Sequence, residues 1–182
     1  NGLRGVTYAP SNVASQRHHA MPRAMSDHMI AELVESVGAA ARRYSDAGFD
    51  GLELLASHGL LFGQFLNPSV NRRGAPYGGT FENRIRFLLE SLDLSRRSMR
   101  PGMILGLRIS ADEFEQDGLE QDEILSIVQH LSYLNAVDYL NVTVGSMAGL
   151  GGSIHVVPPM EVPSAYVAPL SERLRRASGL PV

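Results

Sequence analysis

Apolar stripes of helical spacing alternate along this chain with short apolar runs of strand length, and that alternation restricts the fold more than any other feature. Behind Ser26, a good helix cap, Ile30, Leu33, Val34, Val37, Ala41 and Tyr44 recur at intervals of three and four. That spacing predicts one buried helical face, with Gly48 as its stop. Residues 49–56 then predict a short buried strand. Thr80 caps a second helix whose buried face is Phe81, Ile85, Leu88, Leu89, Leu92 and Met99. Its exposed face carries the i, i+4 pairs Glu82/Arg86, Arg86/Glu90 and Asp93/Arg97. A strand over 103–109, a helix over 120–134 and a strand over 138–144 follow. A Gly- and Pro-rich loop over 145–163, a helix over 164–178 stopped by Gly179, and the start of a strand at 180–182 complete the series.

Strict alternation of this kind means βαβ units and a parallel sheet. Two closures remain open, a doubly wound sheet or a (β/α)8 barrel. No G-x-G-x-x-G follows a strand; the nearest run, Gly149-Leu150-Gly151-Gly152, opens no evident helix. A whole barrel needs about 250 residues, so 182 would supply only part of one. The first residue is Asn, and the chain is expected to be a piece of a longer protein.

Composition removes several function classes. With no Cys there is no disulfide, thiolate nucleophile, Cys-ligated zinc or iron–sulfur cluster within the chain, and a reducing, cytoplasmic setting is expected. A net charge of −3 gives no electrostatic case for nucleic acid. No apolar run approaches the roughly 18 residues of a membrane helix, so no membrane partner is expected. No pair of histidines has zinc-site spacing beside a carboxylate, and no metal is predicted.

In either closure, functional groups gather beyond the carboxyl ends of the strands, here in segments 56–79, 110–119 and 145–163. His58 lies just past the first strand, where the strand fixes it and the loop exposes it. Among the other histidines, His18, His19 and His28 fall in loop or helix-start positions, His130 on a helix and His155 in the loop after the third strand. By alternation Ile104, Gly106 and Arg108 share the inward face of the second strand. Arg108 there either binds an anionic or electron-rich ligand or simply pairs with Glu53 on the neighbouring strand. Seven carboxylates, Asp112, Glu113, Glu115, Asp117, Glu120, Asp122 and Glu123, lack the pattern of a calcium loop and are expected to form a solvated rim. The Asn-, Arg-, Gly- and Tyr-rich segment 67–84 reads as an Ω-like loop whose polar groups satisfy one another.

Several of these residues also form a recognisable series. Ala47-Gly48-Phe49-Asp50-Gly51-Leu52-Glu53-Leu54, His58-Gly59, Gln64-Phe65-Leu66-Asn67-Pro68, Asn71-Arg72-Arg73, Tyr77-Gly78-Gly79 and Glu82-Asn83-Arg84 resemble the Old Yellow Enzyme family. The resemblance is nearest to the branch of dienoyl-CoA reductases, trimethylamine dehydrogenase and N-methylproline demethylase-like enzymes. It implies a partial (β/α)8 TIM barrel, about strands 4 to 7 with their helices, so that residues 1–182 form the central part of one FMN-binding barrel domain.

The implied function is an FMN-dependent oxidoreductase with NAD(P)H as electron donor and an enoyl, enone or N-methyl amine substrate; a homo-oligomer is compatible with it. Any iron–sulfur cluster would lie outside this segment. Arg108 matches the arginine at the pyrimidine side of FMN, and His58 matches the second member of a pair that binds substrate above the flavin. Ser146 stands near the position of a carboxylate in the amine dehydrogenases, and is expected to bind substrate. Leu55 replaces the first member of the His58 pair, Leu60 a frequent Tyr, and Ala75 an Asp. A non-catalytic half-barrel used for assembly is the competing reading.

Overall fold

The protein is described by a computed structural model covering residues 5–14 and 19–182; His18 lies outside them. Two residues of strand β1 (Tyr8–Ala9) pair in parallel with two of β2 (Arg23–Ala24). Helix α1 (Asp27–Asp46) begins at Ser26, whose side chain accepts from the Met29 N–H. It buries Ile30, Val34, Gly38 and Ala41. Tyr44, assigned to the buried stripe from its spacing, is exposed and packs edge-on against Phe49. Gly48 ends the segment with φ +84°, a left-handed conformation that glycine adopts without strain.

Strands β3 (Gly51–Ala56), β4 (Ile104–Ser110) and β5 (Tyr139–Thr143) form one parallel sheet in chain order. Between them lie α2 (Leu61–Leu66), α3 (Phe81–Ser98) and α4 (Gln121–Tyr133); α5 (Leu150–Val156) and α6 (Ala168–Ser178) follow. One face of the sheet, with Leu105, Leu107, Ile109 and Leu140, shares a single buried cluster with Ile85, Leu88 and Leu92 of α3 and Ile124, Ile127 and Leu131 of α4. Leu174 of α6 and Ala41 of α1 join it. Burying that one face is what holds helices and strands together. The other face, with Glu53, Leu55, Ile104, Arg108, Tyr139 and Asn141, stays at least partly exposed. Sequential parallel strands with helices on one side only are an arc of a barrel wall, not a doubly wound sheet.

The loop expected over 67–84 is tied together, but it ends at Thr80, because residues 81–84 belong to α3. The Asn71 Nδ2 donates to the carbonyls of Phe65 and Tyr77, both at 2.7 Å. Arg73 reaches the Pro10 and Met25 carbonyls and pairs with Asp27. Arg84 donates to the carbonyls of Leu66 and Gly79. Gly78 has no room for a side chain, because a Cβ would stand 2.5 Å from the Arg73 carbonyl oxygen.

Several sequence expectations are corrected. Asp93–Arg97 closes at 2.6 Å, but Arg86 donates to the Pro76 carbonyl and Glu90 accepts from the Tyr77 hydroxyl, so both serve the loop. Gly149 does precede a helix, the two-turn α5. The last helix starts at Ala168 rather than 164. Residues 180–182 are not a strand, although the Pro181 carbonyl accepts from Leu140 N–H at 2.9 Å, one rung of the expected pairing.

Candidate functional site

The sheet register sets the site. Glu53, Gly106 and Tyr139 stand level across the three strands, and Leu55, Arg108 and Asn141 form the next level toward the carboxyl ends. Because side chains alternate, the five side chains face the uncovered side, and Gly106 leaves a gap among them. Glu53 is the hub. Arg108 Nε lies 3.0 Å from Glu53 Oε1. The contact is ionic rather than a directed hydrogen bond, since the buried Nε–H has no acceptor in line. The Tyr139 hydroxyl donates to Glu53 Oε2 at 2.9 Å, and Asn141 Nδ2 lies 3.1 Å from the same oxygen. The two readings of Arg108 are therefore not exclusive: it is paired with Glu53, yet 43% of its side chain remains accessible.

His58 stands just beyond β3 with φ +59°, an uncommon conformation for a residue with a side chain. Its surroundings hold it there. The His58 N–H donates to Ser110 Oγ at 3.0 Å, Ser110 donates to the Gly145 carbonyl, and Met147 N–H donates to the His58 carbonyl at 2.9 Å. Backbone strain of this kind persists only where neighbouring structure enforces it. Burial pushes the His58 imidazole below its ordinary 6.5, and the Arg108 cation adds to the shift. The Val144 and Gly145 carbonyls oppose it, though neither is aligned as a hydrogen-bond partner of Nδ1. The ring is thus neutral at pH 7, with one donor and one acceptor nitrogen.

Ser146 pairs alongside His58, so the structure gathers all three predicted residues at one end of the sheet. Ser146 is 1% exposed; its hydroxyl accepts from Ala148 N–H and lies against Gly59. Leu55 is 39% exposed beside Arg108.

Tyr139, Asn141 and Ser57 were not singled out from the sequence. The signal was available for the first two, because extending the alternation from Arg108 across to 139–143 places them on its face. Ser57 gave none; it is 1% exposed and its hydroxyl has no hydrogen-bond partner.

Ser57 Oγ, His58 Nδ1 and Arg108 Nε are all buried polar atoms without a hydrogen-bond partner, and all lie at the carboxyl ends of β3 and β4. Natively folded proteins rarely leave such atoms unsatisfied. Together with an accessible guanidinium and the apolar Leu55, they fit an electron-rich, hydrogen-bonding ring such as the isoalloxazine of FMN. Among the described residues no group of three His, Asp or Glu could hold a metal ion. A groove of about 560 Å³ lies at the edge of β5 against α6, lined by Leu140, Val142, Ala168 and Arg175 among others. It is the space beside an edge strand and is not centred on His58 or Arg108.

The acidic segment is not simply a solvated rim. Glu113 is 4% exposed; its carboxylate accepts from Leu119 N–H at 2.8 Å and Asn67 Nδ2 at 3.1 Å. Glu115 accepts from Gly152 N–H at 2.7 Å and so ties this loop to α5. Burial, with the nearby Glu115 and Asp112 charges, raises the Glu113 carboxyl above its ordinary 4.5 against the pull of its two donors. The folded state therefore binds this proton more tightly than the unfolded chain. Its contribution is full below about pH 4.5 and is lost as pH rises through the raised value. Glu113→Gln keeps an acceptor for both donors and removes the buried charge. Urea denaturation across pH should show the variant gaining on the parent as pH rises; parallel profiles would contradict the assignment.

Residues 4–151 match the family model described as the NADH:flavin oxidoreductase / NADH oxidase family. The chain is 37% identical to a multifunctional alkene reductase/demethylase of Caballeronia cordobensis, over 100% of this chain and 27% of that protein. It is 33% identical to an N,N-dimethylglycine/sarcosine dehydrogenase of Chromohalobacter salexigens, over 96% and 25% respectively. An NADPH dehydrogenase of Clostridium acetobutylicum is 32% identical, over 99% and 50%. The chain thus spans about a quarter to a half of these curated relatives. Among solved structures, 2-naphthoyl-CoA reductase superposes with a TM-score of 0.85 at 26% identity, over 94% of this chain and 25% of that one. The loop motifs, the arc of parallel strands and these matches agree: the chain belongs to the NADH:flavin oxidoreductase / NADH oxidase family.

Proposed function

We propose that this chain carries one side of the flavin and substrate site of an FMN-dependent oxidoreductase, within a barrel that further strands complete. The observation that carries the reading is Arg108, an accessible cation at the carboxyl end of β4 beside unsatisfied buried polar atoms. Arg108 would hold FMN, and bound FMN would supply the centre that accepts and returns hydride. A cation against the ring favours the negative charge of the reduced form. Neutral His58 would hydrogen-bond the polar group of the substrate. Ser146, covered by Gly59 and committed to Ala148, would support the His58 loop from below rather than extend far into the site. The remaining barrel strands would extend the sheet from its edges at β3 and β5 and so enclose its inward face.

Relatives named for alkene reduction and for N-methyl amine dehydrogenation support a substrate of one of those two classes: an alkene would be reduced at the expense of NADH or NADPH, whereas an amine would itself be the reductant and need a separate electron acceptor. Leu55 beside Arg108 leaves His58 without a second donor at the matching position, which favours a substrate needing one hydrogen bond rather than an oxyanion clamp.

His58→Ala in the full-length protein tests the substrate role. Loss of one hydrogen bond in a partly buried site costs about 1–2 kcal/mol, so substrate affinity should fall roughly 5- to 30-fold with flavin content unchanged. Unaltered affinity would remove His58 from the site. A non-catalytic half-barrel would respond to this substitution only in stability.

A further inference from the structure

Tyr139 departs from the pattern of a strand residue that only lines a barrel. It starts on β5, but its ring lies across Gly106 on β4 and its hydroxyl ends on Glu53 of β3. The crossing depends on the glycine: a Cβ added at Gly106 would overlap the Tyr139 ring. Asn141, one level up, donates to the same carboxylate. Glu53 therefore has both oxygens engaged, with Arg108 on Oε1 and Tyr139 on Oε2. Arg108 Nε lies 3.0 Å from Glu53 Oε1, while 43% of the Arg108 side chain remains accessible to a ligand.

We propose that Tyr139, admitted by Gly106, is a positioning residue whose hydroxyl draws negative charge from Glu53, a carboxylate that Asn141 also holds in place, and so sets how much positive charge Arg108 presents to the flavin. The inference rests on the flavin reading above. A phenol donating to a carboxylate draws off part of its negative charge. With the donor gone, Glu53 neutralises Arg108 more completely. With the Glu53 charge gone, Arg108 acts undiminished. The two changes push the flavin in opposite directions, which a general loosening of the site would not do.

The experiment is a redox-dye titration of the FMN-loaded full-length protein, with Arg108→Ala as reference. In Tyr139→Phe, and in Gly106→Ala where the ring is displaced, the ratio of reduced to oxidised flavin at fixed poise should fall about threefold. In Glu53→Gln it should rise about tenfold. Opposite shifts support the proposal; shifts of one sign in all variants, or none, overturn it. Should Glu53→Gln fail to fold, an unchanged ratio in Tyr139→Phe and Gly106→Ala still overturns it, and a fall in both supports it. If Arg108→Ala leaves FMN binding and potential untouched, the flavin reading itself fails. If Arg108→Ala acts while Tyr139→Phe and Gly106→Ala do not, only this inference does.

Discussion

Arg108→Ala should weaken FMN binding by the full-length protein roughly 30- to 150-fold, measured by fluorescence titration of the apoprotein. The estimate takes about 2–3 kcal/mol for a charge-assisted hydrogen bond in a partly desolvated site. A second effect adds to it. Glu53 would keep its bonds from Tyr139 and Asn141 but lose its cation, leaving a carboxylate next to a ring that becomes anionic on reduction. Reduced flavin should therefore suffer more than oxidised flavin. Folding should change little, because the guanidinium is well over a third accessible and the ion pair is screened by solvent. Unchanged FMN affinity would mean that Arg108 is only the partner of Glu53.

Gly145→Ala should produce the largest loss of stability among the residues that shape the site, about 3 kcal/mol by urea denaturation. Gly145 has φ +82°, and a side chain there carries about 1–2 kcal/mol of strain. The space is also taken: a Cβ would lie 2.5 Å from the Gly152 carbonyl oxygen and 2.9 Å from both His155 Cβ and Val156 N. Overpacking of that kind adds about 1–3 kcal/mol. Gly48→Ala separates the two effects, since Gly48 has φ +84° and nothing within 4 Å of the added atom. It should lose only the strain. Equal losses at both positions would show that the overlap at Gly145 is relieved without effect. Since the Gly145 carbonyl receives the Ser110 hydroxyl that holds His58, the first substitution should weaken substrate binding as well.

The parts of the fold with strong periodicity were legible in the sequence. Ser26, Thr80 and Gly179 mark ends of α1, α3 and α6 because their capping chemistry is local. Helix α2 was not legible: six residues cannot show a helical period, and Leu60 supplies no side-chain cap. Helix α5 was hidden by its glycines, and it is held by Glu115, far away in the chain. The burial of Glu113 is not legible in its acidic segment, because nothing local reveals that Asn67 and Leu119 donate to its carboxylate.

The residues that made the family recognisable are mostly not those of the site. Asn71, Arg73, Tyr77, Gly78 and Arg84 serve the loop between α2 and α3, where each backbone carbonyl needs its donor. They make the fold identifiable without determining the chemistry. The site was legible in part. Alternation along β4 placed Arg108 correctly and raised Glu53 as its partner. Tyr139 escaped notice because its role depends on reaching across a neighbouring strand over Gly106, a relation that appears only once the register is known.

Whether this chain furnishes part of an FMN site is read from the absorption spectrum of the purified full-length protein. Flavin absorbance should come close to one FMN per polypeptide, with the 182-residue segment alone binding the cofactor far more weakly. A colourless full-length protein that takes up no FMN on titration with the free cofactor would contradict it.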